Sequence, residues 1–166
     1  MGYILTVSIH ILAAAVWIGG MAFLALAVLP VLRRPAYREV AFPLIYAISV
    51  RFRWIGWGAM AVLVVSGIAN LAYRGYGWAQ LRTGAVWDGT FGRILALKLL
   101  LVGLIVVISL IHDVAVGPRV TSLGQGSAGS PEVDRLRRQA AWVGRLVLLL
   151  SIAVVVLAVM LVRGVP

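Results

Sequence analysis

The sequence predicts an all-α integral membrane protein, a bundle of four transmembrane helices with both termini outside. Hydrophobic residues make up 63% of its 166 residues and charged residues only 12%, whereas soluble domains have about half and about a quarter. Four apolar stretches each supply the ~20 residues that a helical span needs; they lie at about 3–32, 54–73, 94–116 and 141–162. We therefore expect one transmembrane domain over 1–166.

Basic residues predict the orientation of the four spans. The connections 33–53 and 117–140 hold nine arginines between them, whereas the connection 74–93 and the C-terminal end hold four. Because cytoplasmic loops carry the excess of basic residues, the first and third connections are expected inside and both termini outside. This pattern is typical of a multi-pass protein of a bacterial-type inner (plasma) membrane.

The three connections differ in composition. Segment 33–53 mixes arginine, aromatic residues and proline, and is expected as an amphipathic piece at the inner interface. Segment 74–93 is rich in glycine and aromatic residues and is expected as an ordered outer loop. Segment 117–140 is expected as a flexible inner loop because "TSLGQGSAGSP" has linker composition, with "PEVDRLRRQ" starting the last helix at Pro131.

Composition also excludes several functions. The chain has no cysteine, which excludes disulfides, thiolate metal sites and iron–sulfur clusters. The net charge of +10 comes mostly from arginines at span ends, where they meet anionic lipid. Nucleic acid is therefore not an expected partner, whereas the lipid bilayer is. No HExxH or GxSxG motif indicates hydrolysis.

A few polar residues inside the spans are the candidate site, since such residues usually face the bundle interior. At ~1.5 Å per residue, His10 lies about 10 Å below the outer surface. Lys98 lies about 6 Å deep by the same rise. Asn70 and Ser66 fall in the outer half of the second span, so the four side chains are expected to converge there.

His112 and Asp113 lie near the inner end of the third span, where Asp113 is expected to pair with Arg145. The levels of His10 and His112 are expected to be about 15–20 Å apart. The two histidines are therefore each a candidate metal ligand, but not two ligands of one metal or haem. As alternatives, Lys98 snorkels to the outer interface and His112 with Asp113 forms only a boundary pair.

Two other residues of the first span are candidate cofactor contacts beside His10. Trp17 continues the His10 face of the helix, and Gly20 leaves room for a flat macrocycle. The alternative is that the glycines allow close packing between helices. Met21 and Met60 are expected to be packing residues.

Several motifs resemble the membrane domain of the copper resistance protein D family. They are "HILAAAVWIGG" followed by Leu29–Pro30, then "VRFRWIGWGAMAVLVVSGIANL", then "FGRILALKLLLVGLIVVISLIH", and together they span roughly 8–115. The same elements are similar to HemJ-type protoporphyrinogen oxidases. The chain lacks the "LPR" that follows the first-span glycine in HemJ, which favours the copper-resistance branch.

The resemblance implies two cofactors. Copper resistance D proteins are associated with copper movement across the inner membrane, whereas HemJ-type proteins imply haem b held by the first-span histidine with the third-span lysine. Carried over, His10 is the haem ligand and Lys98 its partner.

Three functions remain open. The first is a haem b-binding membrane redox protein, with a haem-dependent oxidoreductase as its enzymatic form. The second is copper transport, although soft Cu(I) prefers thiolate or thioether ligands. The third is an accessory subunit without a cofactor. A periplasmic copper-binding or redox protein is an expected partner, and a homo-oligomer stays open.

Overall fold

The computed structural model describes residues 1–116 and 131–164, and almost all of them are helical. The helices are α1 (Gly2–Phe23), α2 (Arg38–Tyr73), α3 (Trp78–Thr83), α4 (Gly89–Ile111) and α5 (Pro131–Arg163). Shorter pieces adjoin them: a π-helix Leu24–Val28 and an α-turn Leu29–Leu32 after α1, 3₁₀ turns at Pro35–Tyr37 and Ala85–Trp87, and a π-helix His112–Val116 after α4. No β-strand occurs in this part of the chain, so the all-α class is confirmed.

Four helical stretches are long and apolar enough to cross a membrane: Gly2–Leu32, Glu39–Tyr73, Gly89–Val114 and Arg138–Arg163. The chain is accordingly a multi-pass membrane protein. The most extensive packing joins α1 with α2 and α4 with α5, and α1 also packs against α5. The fold is thus two helical hairpins laid side by side through α1 and α5.

α1 widens towards its C-terminal end for a local reason. Pro30 has no N–H and its ring crowds the preceding turn of an α-helix. The chain meets this proline with the π-helical turn Leu24–Val28, and such widened turns relieve strain in an otherwise regular helix. Leu29–Leu32 then completes the helix, and its last residue Leu32 is buried.

α2 begins earlier than the sequence indicated. The segment 33–53 was expected as a separate interfacial piece, but from Arg38 onwards it is continuous with the second span, as one helix of 36 residues. Pro43 does not end this helix because it lies close to the start, where only the bond to the Glu39 carbonyl is lost. Of the flexible loop expected over 117–140, residues 117–130 lie outside the described residues, whereas 131–140 are helical because α5 begins at Pro131.

The connection after α2 folds back on the start of α4. Gly84 takes a left-handed conformation (φ 80°) at the end of α3, which a residue with a side chain rarely adopts. This turn brings Val86 into a fully buried position. The rings of Tyr76 and Phe91 stack at 5.1 Å between centroids. The segment 74–93 is therefore ordered, mostly as short helices.

The bundle is held together at mid-height by an apolar cluster. Met60, Ile105 and Val147 are its buried members, one from each of α2, α4 and α5. Trp17 and Met21 pack against this cluster from α1. In lipid, such close packing replaces the hydrophobic effect as the force that joins helices.

Candidate functional site

The imidazole of His10 is bonded to α2 through one ring nitrogen. Its Nδ1 lies 2.8 Å from the hydroxyl oxygen of Ser66. The Ser66 hydroxyl donates its single hydrogen to the Val62 carbonyl at 2.5 Å, so its oxygen accepts from His10. In this arrangement a neutral His10 donates from Nδ1, which leaves the lone pair on Nε2.

The His10 ring rests on a glycine. A Cβ placed on Gly67 would lie 3.4 Å from His10 Cε1, so the ring packs closely over the bare backbone at that position. Ser66 is buried and His10 is half-buried. A fixed tautomer and a closely packed ring are the features that orient a histidine ligand.

A second polar pair lies one helical turn nearer the chain termini. The hydroxyl of Thr6 lies 2.7 Å from Asn70 Oδ1 and 2.9 Å from the Tyr3 carbonyl. Together with His10 and Ser66, this pair makes a polar line along the interface of α1 and α2. Asn70 and Ser66 were predicted at the level of His10, whereas Thr6 was not singled out.

Lys98 approaches the same region from α4. It is half-buried and close enough to interact electrostatically with both His10 and Arg74. No ion pair to Lys98 occurs within residues 1–116 and 131–164. Lys98 is thus within electrostatic range of His10, and the convergence of the two side chains on one site stays a prediction.

Arg74 joins three parts of the chain at this end of the bundle. Its Nη1 donates to the Leu161 carbonyl at 3.0 Å, and its Nε lies 3.4 Å from the Tyr3 hydroxyl. Its guanidinium also lies 5.9 Å from the centre of the Phe91 ring. The N-terminal end of α1, the C-terminal end of α5 and the 74–93 connection therefore lie at one end of the bundle.

Trp17 and Gly20, expected beside a cofactor, have other neighbours. The Trp17 indole donates to the Ser151 hydroxyl at 3.1 Å, and its ring covers Gly56. Gly20 faces the ring of Phe52, which occupies the place where a side chain would be. Both residues therefore act in helix packing, about two or more turns deeper than His10 by the rise of an α-helix.

The opposite end of the bundle holds the second polar group. Asp113 accepts a hydrogen bond from the Trp57 indole at 2.8 Å and pairs with Arg53 at 3.5 Å. His112 Nδ1 lies 3.4 Å from the same carboxylate. Asp113 was expected to pair with Arg145. It instead contacts Trp57 and Arg53 of α2, and the Arg145 guanidinium lies 5.2 Å from the centre of the Trp142 ring.

The two polar levels are separate. Ser66 and Trp57 mark them on α2 and are nine residues apart, or ~14 Å along a helix. No group of three or more His, Asp or Glu side chains that could hold a metal occurs among the described residues. His10 and His112 accordingly do not form one site.

Comparison with known proteins identifies the family. The family model for copper resistance protein D matches residues 46–161. An uncharacterized protein of Aquifex aeolicus (strain VF5) is 29% identical over 153 residues, which cover 91% of this chain and 89% of that protein. No solved structure matches significantly. The chain belongs to the copper resistance protein D family.

Proposed function

We propose that this chain moves copper across a membrane and that His10 is its outer copper ligand. The observation that carries the proposal is the His10–Ser66 hydrogen bond, which leaves the Nε2 lone pair free. Neutral imidazole is a common copper ligand. The family is named for copper resistance, and this supports copper as the cargo.

Thioether donors supply the next positions inward. Met60 is buried in the central cluster, and Met21 packs against the same cluster. Cu(I) prefers such soft sulfur ligands. Met60 is six residues from Ser66 on α2, or ~9 Å further into the bundle. His112 follows near the far end of α4, as the last donor along the bundle.

In this proposal Lys98 lowers the affinity of the His10 site for copper. Its ammonium group interacts electrostatically with His10 and repels a copper cation bound there. A transport site must bind well enough to admit the ion and weakly enough to release it. Lys98 therefore favours release from His10.

Haem b binding is the second candidate, favoured by the same positive charges. In that case His10 is the axial ligand, and Lys98 with Arg74 pairs with the propionates. The free Nε2 and the two cations fit a haem, whereas the two apolar grooves of about 320 Å³ on the α1/α2 face are not lined by His10. Bound haem would supply one-electron redox chemistry.

Replacing Lys98 separates the two candidates because they predict opposite signs. With copper as the ligand, Lys98→Gln removes a repulsion and is expected to tighten Cu(I) binding about tenfold, or ~1.4 kcal/mol. With haem, the same change removes a propionate partner and weakens binding. The measurement is Cu(I) competition titration of purified protein, alongside visible spectra of haem-supplemented protein.

His10→Ala and Arg93→Gln complete this experiment. His10→Ala is expected to weaken binding ~100-fold or more. Exposed Arg93, on α4 with Lys98, is the matched control whose replacement leaves binding unchanged. Unchanged copper affinity in His10→Ala contradicts the copper proposal. A haem absorption band that His10→Ala abolishes selects haem instead. Protein that binds neither copper nor haem favours the third alternative, an accessory subunit without a cofactor.

We further propose the inner (plasma) membrane as the location, with both termini outside. The unequal distribution of arginine supports this orientation. The His10 end would then face a periplasmic copper-binding or redox partner. A reporter fused after Pro166 is expected to be active only outside, and one fused within 117–130 only inside. The reverse pattern rules the orientation out.

A further inference from the structure

The two helical hairpins are joined by polar contacts at both ends of the bundle. At one end Arg74 of α2 donates to the Leu161 carbonyl of α5 at 3.0 Å. At the other end Asp113 accepts from the Trp57 indole of α2 and lies 3.5 Å from Arg53. Arg74 is exposed, and the Arg53 and Asp113 side chains are 34% and 21% exposed. Partly exposed contacts of this kind contribute little stability, so each of them can open locally.

The hairpins meet differently at mid-height. There the Trp17 indole of α1 donates to the Ser151 hydroxyl of α5 at 3.1 Å, and Ser151 is buried. The central cluster of Met60, Ile105 and Val147 lies beside this contact and is also buried. Regions with many buried apolar contacts open last. Because packing is more extensive within each hairpin than between the two, the middle is the natural pivot between two rigid units.

The His10 site lies between the two end contacts. Arg74 and Trp57 are 17 positions apart on α2, or ~26 Å along the helix. Ser66, which holds His10, is eight positions from Arg74 and nine from Trp57. Met60 is three positions from Trp57. An ion at His10 or Met60 is therefore separated from each end of the bundle by one of the end contacts.

We propose that the two hairpins rock against each other about the central cluster, so that the Arg74 contact and the Asp113 contact open alternately. Two rigid units that pivot at mid-height separate at one end as they approach at the other. Many membrane transporters alternate access by rocking one part of a bundle against the other around a fixed site. The role in transport rests on the proposed function, because it assigns copper to His10. The rocking itself does not depend on the ligand.

Paired spin labels measure the rocking without any metal. The chain has no cysteine, so labels attach only where a cysteine is introduced. Exposed positions provide three pairs across the hairpins: Ala72→Cys with Val162→Cys at the Arg74 end, Val64→Cys with Leu104→Cys at mid-height, and Trp54→Cys with Val114→Cys at the Asp113 end. Electron-spin distance measurements in lipid nanodiscs should give two distances for each end pair and one for the middle pair. A single distance at either end, or a middle pair that varies as much as the ends, overturns the inference.

Variants of the end contacts test the alternation. Arg74→Gln shortens the side chain and removes its charge, so it should favour the open form at its own end and the closed form at the Asp113 end. Asp113→Asn loses the pair with Arg53 and should do the reverse. The ratio of the two distances should change by up to about fivefold. Exposed Arg93→Gln is the control and should leave the ratio unchanged. Unchanged ratios in both contact variants, or two ends that open together, overturn the alternation.

A bifunctional maleimide tests the connection between rocking and transport. It bridges the cysteines of the Trp54→Cys, Val114→Cys protein, and mass spectrometry confirms the bridge. The bridge should stop Cu(I) uptake by vesicles that contain the protein, whereas the reagent should leave uptake intact in either single-cysteine variant. Continued uptake by the bridged protein overturns the inference. Absence of uptake by the unbridged protein contradicts the proposed function instead, and the spin-label distances still decide whether the hairpins rock.

Discussion

The end of the bundle at Asp113 places one carboxylate beside an indole, an arginine and a histidine, whereas the half that contains His10 has three basic side chains and no ion pair among the described residues. Asp113 accepts from the Trp57 indole and lies within 3.5 Å of both Arg53 and His112. Lys98 has no ion-pair partner among the described residues, and His10 has one ring nitrogen that Ser66 does not contact. Side chains paired with each other contribute to stability, whereas a free lone pair beside uncompensated charge is suited to a ligand. The half that contains His10 is therefore the candidate site, and the Asp113 end is first of all a structural junction.

The largest contrast is expected between the two histidines. His10→Ala should weaken Cu(I) binding by ~100-fold or more, equal to about 2.7 kcal/mol. His112→Ala should leave that first binding event unchanged, because the level of His112 is ~14 Å or more from that of His10. Competition titration with a Cu(I) chelator measures both variants. Equal losses in the two would show that the levels act as one site.

Ser66 should come next, as the residue that orients His10. Ser66→Ala removes the acceptor of the Nδ1 proton, and loss of such a partner typically weakens a metal site 10–100-fold. Ser66→Thr keeps a hydroxyl and should retain most of the affinity. Nitrogen NMR of the imidazole reports the tautomer directly. A single Nδ1-protonated form in Ser66→Ala would mean that Ser66 does not select it.

Asp113 should affect stability more than ligand binding. Asp113→Ala leaves the Trp57 indole without its acceptor and should cost about 1–2 kcal/mol, which lowers the unfolding midpoint by ~2–8 °C. Asp113→Asn can still accept from Trp57 but loses the partly exposed ion pair with Arg53, which contributes ~0–1 kcal/mol. Thermal unfolding followed by tryptophan fluorescence distinguishes the two. A larger loss in Asn than in Ala would contradict this assignment.

The smallest effect is expected at the junction of the hairpins. Trp17→Phe keeps an aromatic ring but loses the hydrogen bond to Ser151, which still donates to the Val147 carbonyl at 2.8 Å, and part of the indole contact with Gly56. The hydrogen bond alone is expected to contribute about 0.5–1 kcal/mol. Trp142→Phe is the control, since Trp142 is exposed to the surroundings of the bundle. Thermal unfolding should show a lower midpoint in Trp17→Phe only.

The level of a residue along the bundle could be predicted from the sequence, whereas the rotation of each helix could not. A fixed rise per residue placed His10 and Ser66 at one level, and the structure joins them by a hydrogen bond. The same arithmetic does not say which face of a neighbouring helix is met. Thr6 as the partner of Asn70, and Arg53 as the partner of Asp113, both depend on that rotation.

The predicted helix boundaries were wrong where local sequence signals for a break conflict with the continuity of a long helix. Pro43 and the arginines of 33–53 indicated a break before the second span. The loss of one hydrogen bond near a helix start, however, costs less free energy than ending the helix there. The contacts of Trp17 and Gly20 were missed for another reason. Their partners, Ser151 and Phe52, are distant in sequence and carry no motif of their own.

The length of α2 has a consequence for the membrane surface. Its 36 residues span ~54 Å at 1.5 Å each, whereas the hydrocarbon core is about 30 Å thick. Even a tilt of ~40°, the upper end of the usual range, shortens its projection only to about 41 Å. At least ~11 Å of this helix must therefore stand among lipid headgroups or in water. The helix that holds Ser66 beside His10 thus extends at its other end to charged lipids and soluble proteins, so a displacement at that surface reaches His10 through one continuous helix.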